Sequence, residues 1–438
     1  MSKRKICCLV LLVLAIAVSV IVILALPRCV PGSYLHAAVA ADTEICSDIG
    51  RDILQRNGSA VDAAIAALLC TSVLNPQSMG LGGGVIFTIY NATTGEVVVI
   101  NARETAPENI KQDLLNQCTG FLQIDGSLLL SDLKNFKAKV MTPLNISLGE
   151  YTMYSPPAPA GGPVLLFILN ILKEFKFTPQ SLTSTSGKIE TYHRIAEALK
   201  FGNGQKPKSD DPQFSGIEQV IIQELLSNSF AELIRKRIDD RGDHPDNFYN
   251  LSQPSIVGYG TSHVSVLAED GSAVSVTSTI NQPFGSMVYS PNTGIILNNE
   301  LVDFCKKKPR NKITSGEIPP SAMVPSILVS KDDNSKLVIG GSGGDLIISA
   351  TALAIMNKLW FGYDLKQAIS LPVLHASTNN SIQFEPKFDE HVKLGLLSRG
   401  HRESKPHTFL NVVQGISKEG RCIFAYSDQR KMGKSSGY

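Results

Sequence analysis

Residues 261–279 read Thr-Ser-His-Val-Ser-Val-Leu-Ala-Glu-Asp-Gly-Ser-Ala-Val-Ser-Val-Thr-Ser-Thr, with polar and apolar side chains alternating on both sides of a turn at 269–271. A three-residue loop with its glycine in the left-handed conformation brings the valines together on one face. These pairs are Val264 with Val276 and Val266 with Val274. The same register sets Thr261 opposite Thr279 on the other face. A two-residue loop would set each valine against a hydroxyl side chain, so the sequence predicts a hairpin with the longer loop.

Thr261 follows Gly260 at the start of the first strand of this hairpin, and its hydroxyl is a candidate nucleophile. A threonine hydroxyl is weakly nucleophilic unless a base accepts its proton, and the α-amine of an N-terminal threonine can do so. With an ordinary pKa of about 8, that amine can accept a proton near neutral pH. This chemistry requires cleavage between Gly260 and Thr261. The alternative is an ordinary threonine that opens a strand.

The composition indicates a folded protein without a nucleic-acid partner. The chain has 438 residues, of which 43% are hydrophobic and 18% charged, a balance that excludes a disordered chain. A net charge of +2 provides no basic stripe for nucleic acid. Helical stretches precede and follow β-branched runs, which predicts a mixed α/β (α+β) layered fold.

The sequence predicts neither a cofactor nor a metal. The segment 80–84 is rich in glycine but precedes a predicted strand, whereas a dinucleotide-binding loop opens a helix. The sequence contains no Cys-x-x-Cys pair, and its eight histidines do not show ligand spacing.

The N-terminus has the pattern of a membrane anchor. Lys3, Arg4 and Lys5 precede an apolar run at 6–26, which would span about 31 Å as a helix, the thickness of a bilayer core. A cleaved signal peptide is the alternative, but its apolar region is usually about 7–15 residues long. The basic cluster favours a cytoplasmic N-terminus. We therefore predict a single-pass type II protein of the plasma membrane, with a cytoplasmic tail (1–5), a signal-anchor helix (6–26), a stem (27–36) and an extracellular remainder.

Sequons and cysteines agree with an extracellular location. Five Asn-x-Ser/Thr triplets are candidate glycosylation sites. They begin at Asn57, Asn91, Asn145, Asn250 and Asn379. Cys46 and Cys70 lie on two predicted helices separated by a turn at 57–58, and antiparallel helices would bring them together. We predict a disulfide between them, since such bonds form in oxidising compartments. Two independent buried thiols are the alternative.

Several segments resemble the γ-glutamyltransferases, also called glutathione hydrolases. They are residues 78–84, 100–104, 261–281, 298–300 with Asp303, and 359–363. Residues 259–261, 287–289 and 297–301 are most similar to the branch that cleaves leukotriene C4 (γ-glutamyl leukotrienase). The resemblance implies an αββα sandwich of the N-terminal-nucleophile hydrolase type, made as an anchored proenzyme that cuts itself into a heavy subunit (37–260) and a light subunit (261–438). It also implies glutathione and other γ-glutamyl compounds as substrates, and amino acids or dipeptides as acceptors.

The resemblance implies the nucleophile and the oxyanion hole. Thr261 would be both the residue freed by self-cleavage and the nucleophile that takes the γ-glutamyl group. Thr279 would orient it, and our hairpin register brings these two threonines together independently. Gly343 and Gly344 would donate two backbone N–H groups to the oxyanion.

The donor-binding residues are likewise implied by the resemblance. Arg103 and Ser321 would bind the α-carboxylate of the donor, a group that a planar guanidinium recognises with two parallel hydrogen bonds. Asn281, Glu300 and Asp303 would bind the α-ammonium.

One departure from the family pattern supports a rival hypothesis. A long block of helices expected between Arg103 and residues 122–144 is missing, and its loss should expose apolar surface. The rival is a catalytically inactive, unprocessed membrane glycoprotein, either a shortened isoform or a degenerate relative. A weaker third hypothesis is an amidohydrolase of the asparaginase type, which the predicted anchor and Arg103 disfavour.

Overall fold

Two large β-sheets stack face to face in this chain, and each carries helices on its outer side. The computed structural model describes residues 29–110, 128–217, 219–251, 260–306, 313–332, 334–405 and 410–438. Within them the layers follow the order helix, sheet, sheet, helix, which is the sandwich that the family resemblance implies.

The two large sheets are antiparallel throughout. The first contains β1 (Ala38–Ala41), β2 (Gly84–Tyr90), β3 (Val97–Ala102), β4 (Lys139–Met141), β7 (Gly260–Leu267), β8 (Ala273–Asn281) and β16 (Lys434–Gly437). The second contains β5 (Leu144–Leu148), β6 (Tyr151–Ser155), β9 (Ser326–Ser330), β10 (Lys336–Ser342), β14 (Val412–Glu419) and β15 (Cys422–Ser427). A small third sheet contains β11 (Leu374–Ala376), β12 (Ser381–Phe384) and β13 (Arg402–Glu403). The strand orders are β16-β1-β7-β8-β2-β3-β4, β15-β14-β10-β9-β6-β5 and β11-β12-β13.

The helices form the two outer layers. They are α1 (Glu44–Gln55), α2 (Ala60–Leu74), α3 (Leu130–Asn135), α4 (Gly162–Lys173), α5 (Thr185–Asn203), α6 (Pro212–Ser215), α7 (Gln219–Leu225), α8 (Asn228–Arg237), α9 (Asp246–Tyr249), α10 (Leu346–Leu359), α11 (Leu365–Ser370) and α12 (Glu390–Ser398). Helices α1 and α2 pack on the first sheet, and α4, α10 and α11 pack on the second.

The hairpin β7–β8 confirms the predicted register. Thr261 pairs with Thr279, and the valines pair as expected. The valine face packs against α1 and α2. The hydroxyl face lies between the sheets, where Ser265 and Ser275 donate to backbone carbonyls of β10 at 3.4 and 3.0 Å. The polar alternation therefore marks a buried face whose hydroxyls are satisfied by the opposite sheet.

Local sequence explains how the outer helices begin and what they bury. Helix α2 starts with a capping box, in which Ser59 and Asp62 each accept the other's backbone N–H. Helix α4 has Pro163 in its first turn, where the missing N–H costs nothing. The helix is apolar on nearly all sides and is buried from Gly162 to Leu172, so it forms the centre of the largest hydrophobic core.

The structure contains the predicted disulfide and a second one that the sequence analysis did not predict. Cys46 and Cys70 are bonded across α1 and α2, with 5.3 Å between their Cα atoms. Cys29 is bonded to Cys422 at the start of β15, 393 residues further along the chain. Cys305 is also disulfide-bonded. Nothing near Cys29 in the sequence indicates so distant a partner.

The predicted tail (1–5), anchor helix (6–26) and first stem residues lie outside the described residues. Among the residues that are described, we find no helix with the length and apolar character needed to cross a bilayer.

All five sequon asparagines are exposed: Asn57, Asn91, Asn145, Asn250 and Asn379. They lie in turns, in the edge strand β5 or at the end of α9, so each side chain is open to solvent. This exposure is what a glycosylation acceptor requires, and the occupancy of the sites stays a prediction.

Acidification is expected to destabilise the fold through buried histidines. Burial lowers the pKa of His263, between the sheets, to about 3, and that of His375, beside Ser349, to about 4. In the unfolded chain a histidine has a pKa of about 6.5. The unfolded chain therefore binds more protons than the native state below that pH. The free energy of unfolding should fall as the pH decreases from 6.5, by about 2 kcal/mol per histidine at pH 5.

Denaturant unfolding at pH 7 and pH 5 measures this effect. His263→Gln should reduce the pH dependence by the contribution of one histidine. His391→Gln, on the exposed surface of α12, should retain the wild-type dependence. Equal pH dependence in all three proteins would show that His263 is not the responsible group.

Candidate active site

The candidate nucleophile lies where the hairpin register shifts. A β-bulge separates Gly260, which pairs with Asn281, from Thr261, which pairs with Thr279. The Thr261 hydroxyl donates to Thr279 Oγ1 at 3.1 Å, and Thr279 Oγ1 donates to the carbonyl oxygen of Gly260 at 2.6 Å. The bulge thus places one hydroxyl between the side chain of Thr261 and the carbonyl of the peptide bond preceding it.

Asn281 completes the environment of Thr279. Its backbone N–H donates to Thr279 Oγ1 at 2.8 Å, so this hydroxyl donates one hydrogen bond and accepts two, which is its full capacity. Asn281 has φ = 73°, a left-handed conformation in which asparagine is enriched. Its side-chain amide donates to the carbonyl of Asn299 at 3.2 Å. The end of β8 is therefore joined to the segment that contains Glu300 and Asp303.

Arg103 directly follows β3 and is 2% exposed. Its Nη2 donates to Asp303 Oδ2 at 2.7 Å, and its Nη1 is paired with Glu300 Oε2. Nε donates to the carbonyl of Pro319 at 2.8 Å. The structure brings the three residues together, but in an arrangement the resemblance did not imply. Residues expected to bind opposite charges of the donor contact one another.

The charges around Arg103 shift one another's pKa values because the cluster is buried. Burial disfavours the charged guanidinium, but Glu300, Glu104 and Asp303 outweigh it and raise the pKa of Arg103. Burial also raises the pKa of Glu300 well above that of an ordinary carboxyl group, with a further contribution from neighbouring Glu104, while Arg103 acts in the opposite direction. The site therefore has one fixed cation and a surplus of carboxyl groups.

Ser321 lies on the loop that contacts this cluster. The carbonyls of Pro319 and Pro320 accept from Arg103 at 2.8 and 3.3 Å. The Ser321 N–H donates to the carbonyl of Pro159, and its hydroxyl accepts from the N–H of Met323 at 3.2 Å. Ser321 therefore directly follows, in the sequence, two residues whose carbonyls accept from the guanidinium, and its own hydrogen bonds to Pro159 and Met323 hold it in place.

Gly343 and Gly344 lie in the turn between β10 and α10. Both have positive φ, 125° and 60°, which side chains disfavour, and a Cβ at Gly343 would overlap the carbonyl of Leu410. Contacts between the sheets join Ser265 to Val338 and the His263 ring to Gly340, so β7 and β10 run in opposite directions. Extending this pattern brings the residues after Gly340 towards Thr261. The glycine turn thus lies at the same end of the sandwich as the threonine.

Gly83 shows why the segment 80–84 is rich in glycine. A Cβ at this position would overlap the carbonyl of Thr279, so the glycine lets the chain approach the end of β8. This is a packing role beside the candidate site, consistent with a glycine segment that precedes a strand. Within the described ranges, no group of three or more His, Cys, Asp and Glu side chains is arranged to hold a metal ion.

Two site residues were not singled out from the sequence. Glu104 adds a third carboxyl group beside Arg103. Asn299 binds Asn281 through its carbonyl and donates to the Gln282 side chain at 2.7 Å. Both lie inside segments that carry the family resemblance, which is the signal that could have indicated them. Sequence alone does not distinguish which of several adjacent polar side chains is buried.

A family model described as Gamma-glutamyltranspeptidase matches residues 46–124 and 117–438, which together make up most of the chain. The chain belongs to this family. It is an enzyme of the gamma-glutamyltranspeptidase kind, as the sequence predicts. The match to the family model is in two segments that overlap at 117–124, near the position between Arg103 and residues 122–144 at which the block of helices is missing.

Full-length relatives support the assignment to the gamma-glutamyltranspeptidase family. Glutathione hydrolase 5 proenzyme of Rattus norvegicus is 43% identical over 569 residues, with all of both chains covered. The protein of the same name from Homo sapiens is 42% identical over 551 residues, with 94% of each chain covered. Both alignments are longer than this gamma-glutamyltranspeptidase chain, which has 438 residues. Part of each of the two glutathione hydrolases therefore has no counterpart in it.

A solved structure supports the fold. Cephalosporin acylase from Bacillus halodurans superimposes with a TM-score of 0.78 over 94% of this chain and 97% of its own. At 18% identity this similarity concerns the fold alone. The described residues of this gamma-glutamyltranspeptidase thus form the layered sandwich despite the missing block.

Proposed function

We propose that this chain cleaves itself between Gly260 and Thr261 and uses the freed Thr261 to transfer γ-glutamyl groups. The donors would be glutathione and its conjugates, such as leukotriene C4, and the acceptors water, amino acids or dipeptides. The observation that carries the proposal is the hydrogen-bonded sequence from Thr261 Oγ1 through Thr279 Oγ1 to the carbonyl of Gly260. The finer assignment to leukotriene C4 depends on motif similarity and on the glutathione hydrolase 5 relatives.

Self-cleavage would begin with attack of Thr261 Oγ1 on the carbonyl carbon of Gly260. As the C–O bond forms, the amide bond breaks and the nitrogen of Thr261 takes a proton, leaving an ester. Water would hydrolyse this ester, releasing the carboxylate of Gly260 and restoring the hydroxyl. The Thr279 hydroxyl already donates to the Gly260 oxygen at 2.6 Å, where negative charge develops in such a reaction.

In the mature enzyme, the α-amine of Thr261 would serve as the base for its own hydroxyl. The hydroxyl would attack the γ-carbonyl of the donor, form a γ-glutamyl ester and release the amine of the leaving peptide. Gly343 and Gly344 would donate N–H groups to the oxyanion, each typically contributing about 10²–10³ in rate. Hydrolysis or attack by an acceptor amine would then release the γ-glutamyl group.

Donor binding would exchange one set of ion pairs for another. Arg103 is now paired with Glu300 and Asp303. The α-carboxylate of a zwitterionic donor would replace these groups on the guanidinium, joined by Ser321. The released carboxyl groups would bind the α-ammonium with Asn281. Because a zwitterionic donor brings one charge of each sign, the net buried charge does not change, which lowers the cost of the exchange.

The proposed location is the outer face of the plasma membrane, with the heavy and light subunits held as a heterodimer from one precursor. Two observations support it: the disulfides of Cys46–Cys70 and Cys29–Cys422, and the five exposed sequons. The anchor itself is proposed from the sequence at 6–26.

A second candidate is the catalytically inactive, unprocessed membrane glycoprotein. The observation that favours it is the apolar surface of α3, which directly follows the missing block. Leu130 and Leu133 in this helix are 67% and 63% exposed, and Leu129 and Phe136 at its ends are each 41% exposed. An exposed apolar cluster of this kind is unusual on the surface of a soluble domain. It favours retention of the chain in the compartment where it folds.

Sequencing of light fragments distinguishes the two candidates. The chain is expressed in cells, purified from membranes and separated on a denaturing gel. The proposal expects a fragment that begins Thr-Ser-His-Val and release of a chromogenic amine from a γ-glutamyl anilide. A single uncut chain with endoglycosidase-sensitive glycans and no amine release would favour the second candidate.

A further inference from the structure

The ammonium group of Lys431 is bound to the backbone carbonyl of Thr261, the residue that carries the candidate nucleophile. Its Nζ donates to the carbonyl of Thr261 at 2.6 Å, to Asp42 Oδ2 at 3.0 Å and to Ser78 Oγ at 3.4 Å. A lysine ammonium has three protons, and these three acceptors use all of them. The Lys431 side chain is 9% exposed and that of Asp42 is fully buried. The ion pair is therefore shielded from solvent at the backbone of Thr261.

The turn that carries Lys431 is held rigidly. Arg430, the preceding residue, pairs with Glu385 and Asp428 and donates to the carbonyls of Ile369 and Leu371. Asp428 in turn accepts from the N–H of Val413 in β14 at 3.1 Å. Lys431 is thus fixed between the second sheet and β7.

Asp42 is fixed as firmly from the other side. It follows β1, the neighbour of β7, and its Oδ1 accepts from the Gln414 side-chain amide. Both carboxylate oxygens are therefore occupied, one by a neutral amide and one by Lys431. The Lys431–Asp42 ion pair thus connects the 428–431 turn to β1 and, through Gln414, to β14. Lys431 also binds the carbonyl oxygen of Thr261.

We propose that Lys431, oriented by Asp42, is a positioning residue that keeps the freed α-amine of Thr261 in its neutral, proton-accepting form. This inference rests on the proposed function, since the amine exists only after cleavage. The carbonyl oxygen and the nitrogen of one residue are about 3–3.5 Å apart, so Nζ lies within about 6 Å of the amine. At that range a cation disfavours a second cation, and the α-ammonium loses its proton more readily.

Other charged groups near this end of the hairpin are differently placed. His263, two residues along β7, is neutral because burial lowers its pKa to about 3. Arg103, Glu300 and Asp303 form the cluster beyond Asn281 and Asn299. Arg430, Asp428 and Glu385 are paired among themselves. The ion pair of Lys431 and Asp42 differs from these groups, because Lys431 donates a hydrogen bond to the carbonyl oxygen of Thr261.

The test is the pH dependence of kcat/KM with a γ-glutamyl anilide, which reports ionisations of the free enzyme. Lys431→Met removes the cation and leaves Asp42, so the apparent pKa of the acidic limb should rise by about one unit. The rate at low pH should fall about tenfold more than the rate at high pH. Lys431→Arg, which keeps the charge, should restore the wild-type limb. Lys434→Met is the matched control, because Lys434 pairs with Glu44 on the surface.

Asp42→Asn provides an independent second variant if Lys431→Met stays uncut. It leaves the cation without its counter-ion, so the acidic limb should move in the opposite direction, to lower pH. A limb that stays at the wild-type position in the mature variants would overturn the inference. Failure of the wild type to expose Thr261 would instead refute the proposed function, so the two failures are distinguishable by sequencing the wild-type fragment.

Discussion

Thr261→Ala is expected to remain a single chain on a denaturing gel and to lose γ-glutamyl transfer by at least about 10⁴-fold. The methyl group cannot attack the carbonyl of Gly260, so neither the ester nor the free α-amine forms. The same change removes the hydroxyl that would accept the γ-glutamyl group. Both losses follow from one oxygen atom, which in the structure bonds to Thr279 Oγ1.

Thr261→Ser is the matched control for this variant. Serine keeps the hydroxyl and should be cut and active, though the lost methyl group leaves its χ1 less restricted. Measurements are the gel pattern, the N-terminal sequence of any light fragment and the rate of amine release from a γ-glutamyl anilide. An alanine variant cut like the wild type would refute Thr261 as the residue that cleaves the chain.

Arg103→Met is expected to destabilise the protein by about 3–5 kcal/mol and to abolish donor binding. Removing the guanidinium takes away the buried cation that Glu300 and Asp303 share, and breaking a buried ion pair by removing one partner is costly. The variant should therefore unfold at a lower denaturant concentration than the wild type.

Arg103→Lys separates the role in binding from the role in stability. Lysine keeps a positive charge but lacks the planar fork that binds a carboxylate with two hydrogen bonds. We expect a smaller loss of stability and a 10–100-fold increase in the KM of the donor, about the effect of losing one charge-assisted hydrogen bond. The assay is a donor titration with amine release.

Lys200→Met is the control for a buried cation outside the candidate site. Lys200 is buried, lies 3.3 Å from Glu197 and donates to the carbonyl of Gly242. Its loss should lower stability in the same way while leaving the KM of the donor unchanged. If Arg103→Lys also left the KM unchanged, Arg103 would be a structural residue and the proposed donor site would be wrong.

Features that depend on neighbouring residues could be predicted from the amino-acid sequence. The alternation of valines and hydroxyls across a glycine turn determined the register of β7–β8, since a shift by one residue would exchange the two faces. The short separation of Cys46 and Cys70 on two consecutive helices predicted their pairing, which the disulfide confirms. Each of these depends on a period or a turn that can be read within about thirty residues.

The contacts of the hydroxyl face and of the charged side chains depend on how distant segments come together in the folded chain. Three contacts join segments that are distant in the sequence. The hydroxyl face is buried between the two sheets, Arg103 pairs with carboxyl groups about 200 residues away, and Lys431 binds Thr261. Cys29 and Cys422 are joined in the same way. The alternation of residues predicts which side of a strand is polar. It does not predict which other part of the protein packs against that side. That choice is made when the two sheets stack and bury charges that must then find partners.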